Sequence, residues 1–312
     1  MRIVFFGTPT FAVPCLQILL DHHPEMQVIG VVSQPDRPQG RGQKLLPTPV
    51  KALAQKAGIP VWQPQRLRKD EATLQALMGL GADVFVVVAY GQILPPQVLQ
   101  MPARGCINVH ASLLPAYRGA APIQWALANG ETETGVTTML MDEGMDTGPM
   151  LLKTTVPIPP DWNSEDLAQA LAQVGSQLLL TTLRGWRDGT LTPMPQDPAQ
   201  ATYAPLLKPE DFHLRWSDPG RTLHNRVRGF YPMAWVPYRG ERLKLLATHL
   251  DHRDPEAVAP GTVIALARGE GFWVQTGGDP LLLRQVQLPG KKPQSGWDFL
   301  NGQRLQIGDV LV

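Results

Sequence analysis

The sequence predicts an α/β chain, with a doubly wound, mostly parallel sheet followed by a small β-barrel. Three observations carry this reading. Apolar runs of strand length alternate with helical periodicity through the first 188 residues. One run, Val84–Ala89, is apolar on both faces, as a central parallel strand covered by helices should be. Beyond a stretch rich in Pro, Thr, Gln and Asp, the pattern turns to short strands with frequent turns.

Taken in order, Ile3–Phe6 is the first strand; it ends in Gly7-Thr8-Pro9 and precedes a helical pattern over Phe11–Leu20. Val28–Ser33 is the second strand. Gln34 to Pro49 carries Pro35, Pro38, Gly40, Gly42, Pro47 and Pro49, which predicts a long loop and no regular element. A loop of this length in a compact domain is usually functional. A helix over Val50–Ala57, a short strand at Val61-Trp62 and a helix over Lys69–Gly79 lead to Val84–Ala89. Then come a strand at Ile107–His110, a helix over Ala121–Ala128, strands at Gly135–Met141 and Met150–Val156, and a long helix over Ser164–Trp186. This predicts a first domain over residues 1–188, a linker over 189–207 and a second domain over 208–312. Five short strands in the second domain (Trp235–Tyr238, Leu243–Thr248, Gly261–Ala265, Gly271–Thr276 and Leu281–Val286) fit a barrel of the OB type. In doubly wound sheets ligands sit beyond the carboxyl ends of the strands. Gly7, Tyr90-Gly91 and His110 all fall at such ends.

Composition narrows the class. The chain is 43% hydrophobic and 18% charged, with no apolar run approaching a membrane span, which argues against both a transmembrane helix and a disordered chain. The apolar start, Ile3–Phe6, is too short for a signal peptide. Two cysteines, Cys15 and Cys106, point to structural thiols in a reducing cytoplasm. No Cys-x-x-Cys or His-x-x-x-His spacing suggests a metal, and no dimerisation signal stands out, so a monomer is expected. The net charge of +1 is unevenly placed: residues 37–69 hold eight basic side chains, among them Arg37, Arg41 and Lys44.

The glycine turn after the first strand lacks the second and third glycines of Gly-x-Gly-x-x-Gly, which argues against a dinucleotide. Asn108 and His110 are two residues apart on one strand and share a face. A lone strand histidine is more often a core residue than a catalyst. What shifts the balance is a second polar cluster, Asp142-Glu143-Gly144-Met145-Asp146-Thr147-Gly148, in a turn-rich loop that can aim Asp146 at His110; a merely solvated hairpin loop is the plain alternative. An Asn–His–Asp set suits transfer of a small acyl group to an amine. Asn108 and a protonated His110 can meet the developing oxyanion, while the carboxylate orients the imidazole and relays the amine's proton. No Gly-x-Ser-x-Gly nucleophile competes; Ser112 lacks that context and is expected to contact a ligand through its backbone or hydroxyl.

At this point the residues match a known pattern. The chain resembles the methionyl-tRNA formyltransferase family over its whole length, through Phe6-Gly7-Thr8-Pro9, Gln34-Pro35-Asp36-Arg37-Pro38 with Gly40-Arg41-Gly42, Val87-Val88-Ala89-Tyr90-Gly91, Ile107-Asn108-Val109-His110, Ser112-Leu113-Leu114-Pro115, Arg118–Ile123, and Asp142-x-Gly144-x-Asp146-Thr147-Gly148. The resemblance implies a formyltransferase-type sheet with Asn108, His110 and Asp146 catalytic. It implies a 10-formyltetrahydrofolate site bordered by Ser112, Leu113, Leu114 and Pro115, with the pterin beside Val88, Tyr90, Gly91, Asp142 and Gly144. The Asn–His–Asp core and the Ser-Leu-Leu-Pro turn are shared by all 10-formyltetrahydrofolate transferases, so they specify the chemistry and not the acceptor. The basic loop and C-terminal barrel are what resemble the tRNA enzymes in particular. Two positions depart from the pattern: Ala111 stands where glycine is frequent and Trp125 where a basic residue is frequent.

The loop has a physical argument of its own. Arg37, Arg41 and Lys44 can neutralise phosphates, and arginine can reach a base edge of an initiator acceptor stem; a solvated charged loop is the plain alternative. Arg221, Arg226 and Arg228 with Phe230 and Tyr231 make either a second basic patch or a surface helix, and Lys291-Lys292 is a weaker candidate contact. The expected activity is formylation of methionyl initiator tRNA from 10-formyltetrahydrofolate. The same transfer to glycinamide ribonucleotide or a sugar-nucleotide amine, a tRNA-binding protein without catalysis, and nicotinamide-dependent oxidoreduction stand as alternatives.

Overall fold

Buried runs rich in Val, Ile and Phe build a seven-stranded sheet near the start of the chain. The structure, a computed structural model, describes residues 1–39, 44–251 and 253–312. They form two compact units: Met1–Ala120 with Glu133–Pro157 and Ala168–Ala204, and Ala121–Thr132 with Ile158–Leu167 and Pro205–Val312.

The first unit begins with β1 (Arg2–Gly7), α1 (Val13–Asp21), β2 (Gln27–Val32) and a hairpin of β3 (Arg37–Gln39) and β4 (Lys44–Leu46). It continues with α2 (Pro49–Lys56), β5 (Val61–Trp62), α3 (Glu71–Gly79), β6 (Val84–Val88), α4 (Pro96–Leu99), β7 (Cys106–His110) and β8 (Arg118–Gly119). After α5 (Pro122–Ala128), which belongs to the second unit, come β9 (Glu133–Leu140), β10 (Met150–Pro157), α6 (Ser164–Arg187, counted in the first unit from Ala168 on) and β11 (Tyr203–Ala204). The sheet order is β10-β9-β7-β6-β1-β2-β5, with β5, β2, β1, β6 and β7 parallel and β9 and β10 antiparallel to their neighbours. The chain moves outward through β1, β2 and β5, then crosses back to β6 on the other side of β1. The switch point therefore lies between β1 and β6, where Gly7 pairs with Val88, the position at which doubly wound sheets take their ligands. Helix starts follow local chemistry: Thr48 caps α2 through Lys51 N–H, and Asp70 caps α3 through Thr73 N–H.

The mostly parallel sheet agrees with the sequence reading, and two local expectations need correction. Gln34–Pro49 is not simply a loop, because β3 and β4 pair within it, Arg37 opposite Leu46. Strands of three residues, with Pro38 inside one of them, offer no readable alternation. Residues 189–204, expected to be linker, pack into the first unit: Met194 exchanges backbone hydrogen bonds of 2.8 Å with Met150, and β11 pairs with β8.

The second unit holds α5, α7 (Gly220–Gly229), β12 (Trp235–Tyr238), β13 (Glu241–His249), β14 (Val263–Ala267), β15 (Gly271–Val274), β16 (Leu281–Gln287), β17 (Gln294–Ser295) and α8 (Gly296–Gln303). The five expected strands form one antiparallel sheet, in the order β12-β13-β16-β15-β14, with β17 added on β16. Its core buries Leu223, Val227, Phe230, Val236, Phe272 and Phe299. Cys15 and Cys106 are buried and unpaired, and burial pushes both thiols up to about 12. No helix among the described residues is long and apolar enough to cross a membrane.

Candidate active site

Strand β7 delivers the two central side chains. Asn108 pairs in register with Val87 and Met139, and His110 with Thr137, so neighbours on both sides fix the direction of this strand end. Both side chains are buried. His110 Nε2 lies 2.9 Å from the Tyr117 carbonyl oxygen. A carbonyl only accepts, so Nε2 carries the hydrogen and Nδ1 is the nitrogen turned to Asp146, 3.6 Å from Oδ2. Asn108 Nδ2 donates to Asp146 Oδ1 at 3.4 Å, and the Gly119 amide donates to Oδ2 at 2.8 Å. The amide oxygen of Asn108 bonds to no protein group among the described residues, so it and the second amide hydrogen are available to a substrate.

Asp146 comes from the turn between β9 and β10. Asp142 Oδ1 accepts from the Gly144 amide at 3.0 Å and from Thr147 Oγ1 at 2.7 Å, which closes this turn on itself. Gly148 is required because a Cβ there would overlap the Leu140 carbonyl. Asp146 itself has φ +54, left-handed for a residue with a side chain, at a cost of about 1–2 kcal/mol.

The other residues to which the resemblance pointed fall around this centre in two ways. Gly91 and Ala89 are exposed at the end of β6, both with positive φ, and Gly144 and Asp142 are exposed in the turn. Val88 is buried, and the Tyr90 ring packs inward against Phe6 at 5.4 Å, with its hydroxyl bonded to no group among the described residues and its pKa pushed up by burial. The Tyr90 carbonyl instead accepts from Thr8 Oγ1 at 2.9 Å and Gln34 Nε2 at 3.2 Å, tying β1 to β6. Ser112 is fully buried and its hydroxyl donates to the Ala116 carbonyl at 2.6 Å, closing a turn, which leaves the backbone as the part of it that could border a ligand. Leu114 is buried with Met139 and Met150, while Leu113 and Pro115 are half-buried.

Comparison with known proteins decides the class of chemistry. Residues 1–183 match the formyl transferase family and residues 206–304 match the formyl transferase C-terminal domain. The chain belongs to the formyl transferase family. It is 61% identical to a methionyl-tRNA formyltransferase of Synechococcus sp. (strain JA-2-3B'a(2-13)), over 99% of this chain and 97% of that protein. Against the methionyl-tRNA formyltransferase of Synechocystis sp. it is 54% identical over 98% of this chain and 99% of that one. In fold it is similar to the crystal structure of an N-formyltransferase from Helicobacter canadensis in complex with folinic acid and dTDP-3-aminofucose, with a TM-score of 0.67 and 19% identity over 91% of this chain and 98% of that one.

Of the basic residues the sequence singled out, Arg37 is exposed on β3 and Lys44 begins β4, while Arg41 lies outside the described residues. The second basic patch is largely structural. Arg226 pairs with Asp218 at 3.2 Å, Arg228 donates to the Trp162 carbonyl at 3.2 Å and Asn225 Oδ1 at 2.7 Å, and Phe230 is buried. Amphipathic spacing over 220–229 produces a helix, the alternative left open by the sequence, with Arg221 exposed. Trp125 is structural too: its indole donates to the Pro205 carbonyl at 2.8 Å and meets Phe230 edge-on at 5.4 Å. Sequence reasoning missed Tyr117 and Gly119, which act through backbone groups and leave no side-chain signal, and Gln196, a lone amide in a proline-rich stretch.

Proposed function

We propose that this formyl transferase moves the formyl group of 10-formyltetrahydrofolate to the α-amino group of methionyl initiator tRNA, in the cytoplasm. The observation that carries the reaction is the convergence of Asn108, His110 and Asp146 at the carboxyl end of β7, within 3.6 Å of one carboxylate. Full-length similarity to methionyl-tRNA formyltransferases supports the acceptor.

The donor supplies an electrophilic formyl carbon on N10. The neutral α-amine adds to it, forming the new C–N bond and placing the electron pair on oxygen. Asn108 Nδ2 offers a hydrogen bond to that oxyanion, and so does Nδ1–H of the protonated His110, because Nδ1 lies 3.6 Å from the Asp146 carboxylate, outside hydrogen-bond reach, while Nε2–H stays on the Tyr117 carbonyl. Asp146 holds the imidazole and takes the proton that the amine must shed, directly or through water. Collapse restores the carbonyl, breaks the bond to N10 and returns a proton to that nitrogen. Exposed backbone at Ala89 and Gly91, with the Asp142–Gly144 turn, forms the donor side. Arg37, Arg41 and Lys44, the basic residues singled out in the sequence, meet the tRNA phosphates.

The test offers the purified protein 10-formyltetrahydrofolate with methionyl initiator tRNA, glycinamide ribonucleotide or a nucleotide-linked amino sugar. Formylation of the tRNA alone is expected. Preferential formylation of either small amine would overturn the assignment, as would tRNA binding without turnover.

A further inference from the structure

Asp146 has a left-handed backbone, φ +54, and residues from 194–204 bond to the chain around it. Gln196 is buried, and all four of its hydrogen-bonding positions are used. Its Oε1 accepts from Arg118 Nε at 3.0 Å and Nη2 at 2.8 Å; its Nε2 donates to the carbonyls of Asp146 and Gly148, each at 2.7 Å. The same segment reaches the other supports of the site. Thr202 Oγ1 accepts from the Tyr117 amide at 2.8 Å, and the Tyr117 carbonyl is the group that holds His110 Nε2. Ala204 pairs with Gly119, whose amide donates to the Asp146 carboxylate. The approach is so close that a Cβ on Gly119 would lie 2.6 Å from the Ala204 carbonyl oxygen.

We propose that Gln196, carried on the strap 194–204, is a positioning residue for formyl transfer: it pins the backbone of Asp146 so that the carboxylate faces His110 and Asn108. The inference rests on the reading that Asp146 works in the transfer step. Gln196 is engaged wholly with protein groups and acts through Asp146. Its loss therefore lowers kcat and leaves substrate affinity in place.

The experiment measures kcat, KM for methionyl-tRNA and donor affinity in Gln196→Met, Gln196→Glu and Asp146→Ala, and in Gln196→Met combined with Asp146→Ala. Gln196→Met keeps the length of the side chain and removes its hydrogen bonds. Gln196→Glu still accepts from Arg118 but turns a carboxylate oxygen to the Asp146 and Gly148 carbonyls in place of the two donors, so it breaks the same contacts by a different route if the Met variant does not fold. Misplacement of a reacting group by about 1 Å costs on the order of 10²-fold. Both variants are therefore expected to lose about 30- to 100-fold in kcat, with KM and donor affinity within about twofold. Gln196→Met is expected to add nothing once Asp146 is alanine. Wild-type kcat in Gln196→Glu, or an equal further loss in the double variant, would overturn the inference. An active Asp146→Ala would instead overturn the role given to Asp146 itself.

Discussion

Replacing Asp146 by asparagine isolates its charge from its shape. The amide oxygen can still accept from the Gly119 amide, which is 2.8 Å from Oδ2 in the native site. The new NH₂ then faces the donating Nδ2 of Asn108, 3.4 Å from Oδ1, and the negative charge 3.6 Å from His110 Nδ1 is gone. For a protonated imidazole at that distance the Coulomb energy is about 5 kcal/mol at an effective dielectric of about 20. Both groups are mostly sheltered from solvent, with side chains 7% and 18% exposed, so most of that interaction survives screening. General acid–base roles contribute about 10²–10⁴-fold, or about 3–5 kcal/mol, which agrees with the electrostatic figure. Asp146→Asn should therefore lower single-turnover formylation of methionyl-tRNA about 10³-fold, while donor affinity, followed by equilibrium titration, moves less than about threefold. Turnover within fivefold of wild type, or donor affinity falling in step with turnover, would refute the roles assigned here.

Three further outcomes follow from the geometry. Gly119→Ala places a methyl group 2.6 Å from the Ala204 carbonyl at φ +120, so thermal unfolding should show a loss of about 1–3 kcal/mol together with reduced turnover; a neutral substitution would mean that the strap yields freely. Asp36→Ala removes the acceptor of Lys51 Nζ (2.5 Å) and Gln63 Nε2 (2.7 Å) at the base of the hairpin, and should raise KM for tRNA by about two- to fivefold with donor affinity unchanged. His224 is buried, accepts from or donates to Thr248 Oγ1 at 2.9 Å, and has its pKa held down to about 4 by burial first and by Arg228 second. Its folded value lies below the unfolded one, so stability is intact above about pH 6.5 and falls between there and pH 4, by up to about 3 kcal/mol. His224→Gln should flatten that acid limb in denaturant titrations, and an unchanged limb would assign it to other groups.

Most of the sheet was legible because its signal is hydrophobic and local: β6 is five buried apolar residues in a row, and β7 carries its polar pair on one face. The meeting of Asn108, His110 and Asp146 was legible for a related reason, since glycines and short polar residues between two apolar strands confine the turn bearing Asp146. The hairpin β3–β4 escaped because prolines inside and around it erase alternation. The strap escaped because its hold on the site is made by one side-chain amide, one hydroxyl and two backbone pairings, and none of these has a period. Ser112 was legible only as part of a motif: its hydroxyl is taken by the local turn, a tie that no spacing announces.

The ties around the reaction centre and those around the hairpin converge on the same strand ends but should fail differently. Thr8 and Gln34 both donate to the Tyr90 carbonyl, the Gln34 carbonyl accepts from Gln63, and Gln63 reaches Asp36, which pairs with Lys51. That chain anchors the foot of β3 to β1 and β6 without touching Asp146. Gln196 anchors Asp146 without touching the hairpin. If the hairpin meets the acceptor and Asp146 meets the reacting amine, breaking the first set of ties loosens acceptor binding, and breaking the second misplaces a group that matters only in the transition state. Asp36→Ala should then appear in KM for tRNA, Gln196→Met in kcat, and the two together should multiply, because the sites share no partner. A combined effect smaller than that product would show that the hairpin and the catalytic turn move as one body, and the separation of acceptor binding from chemistry argued here would fall.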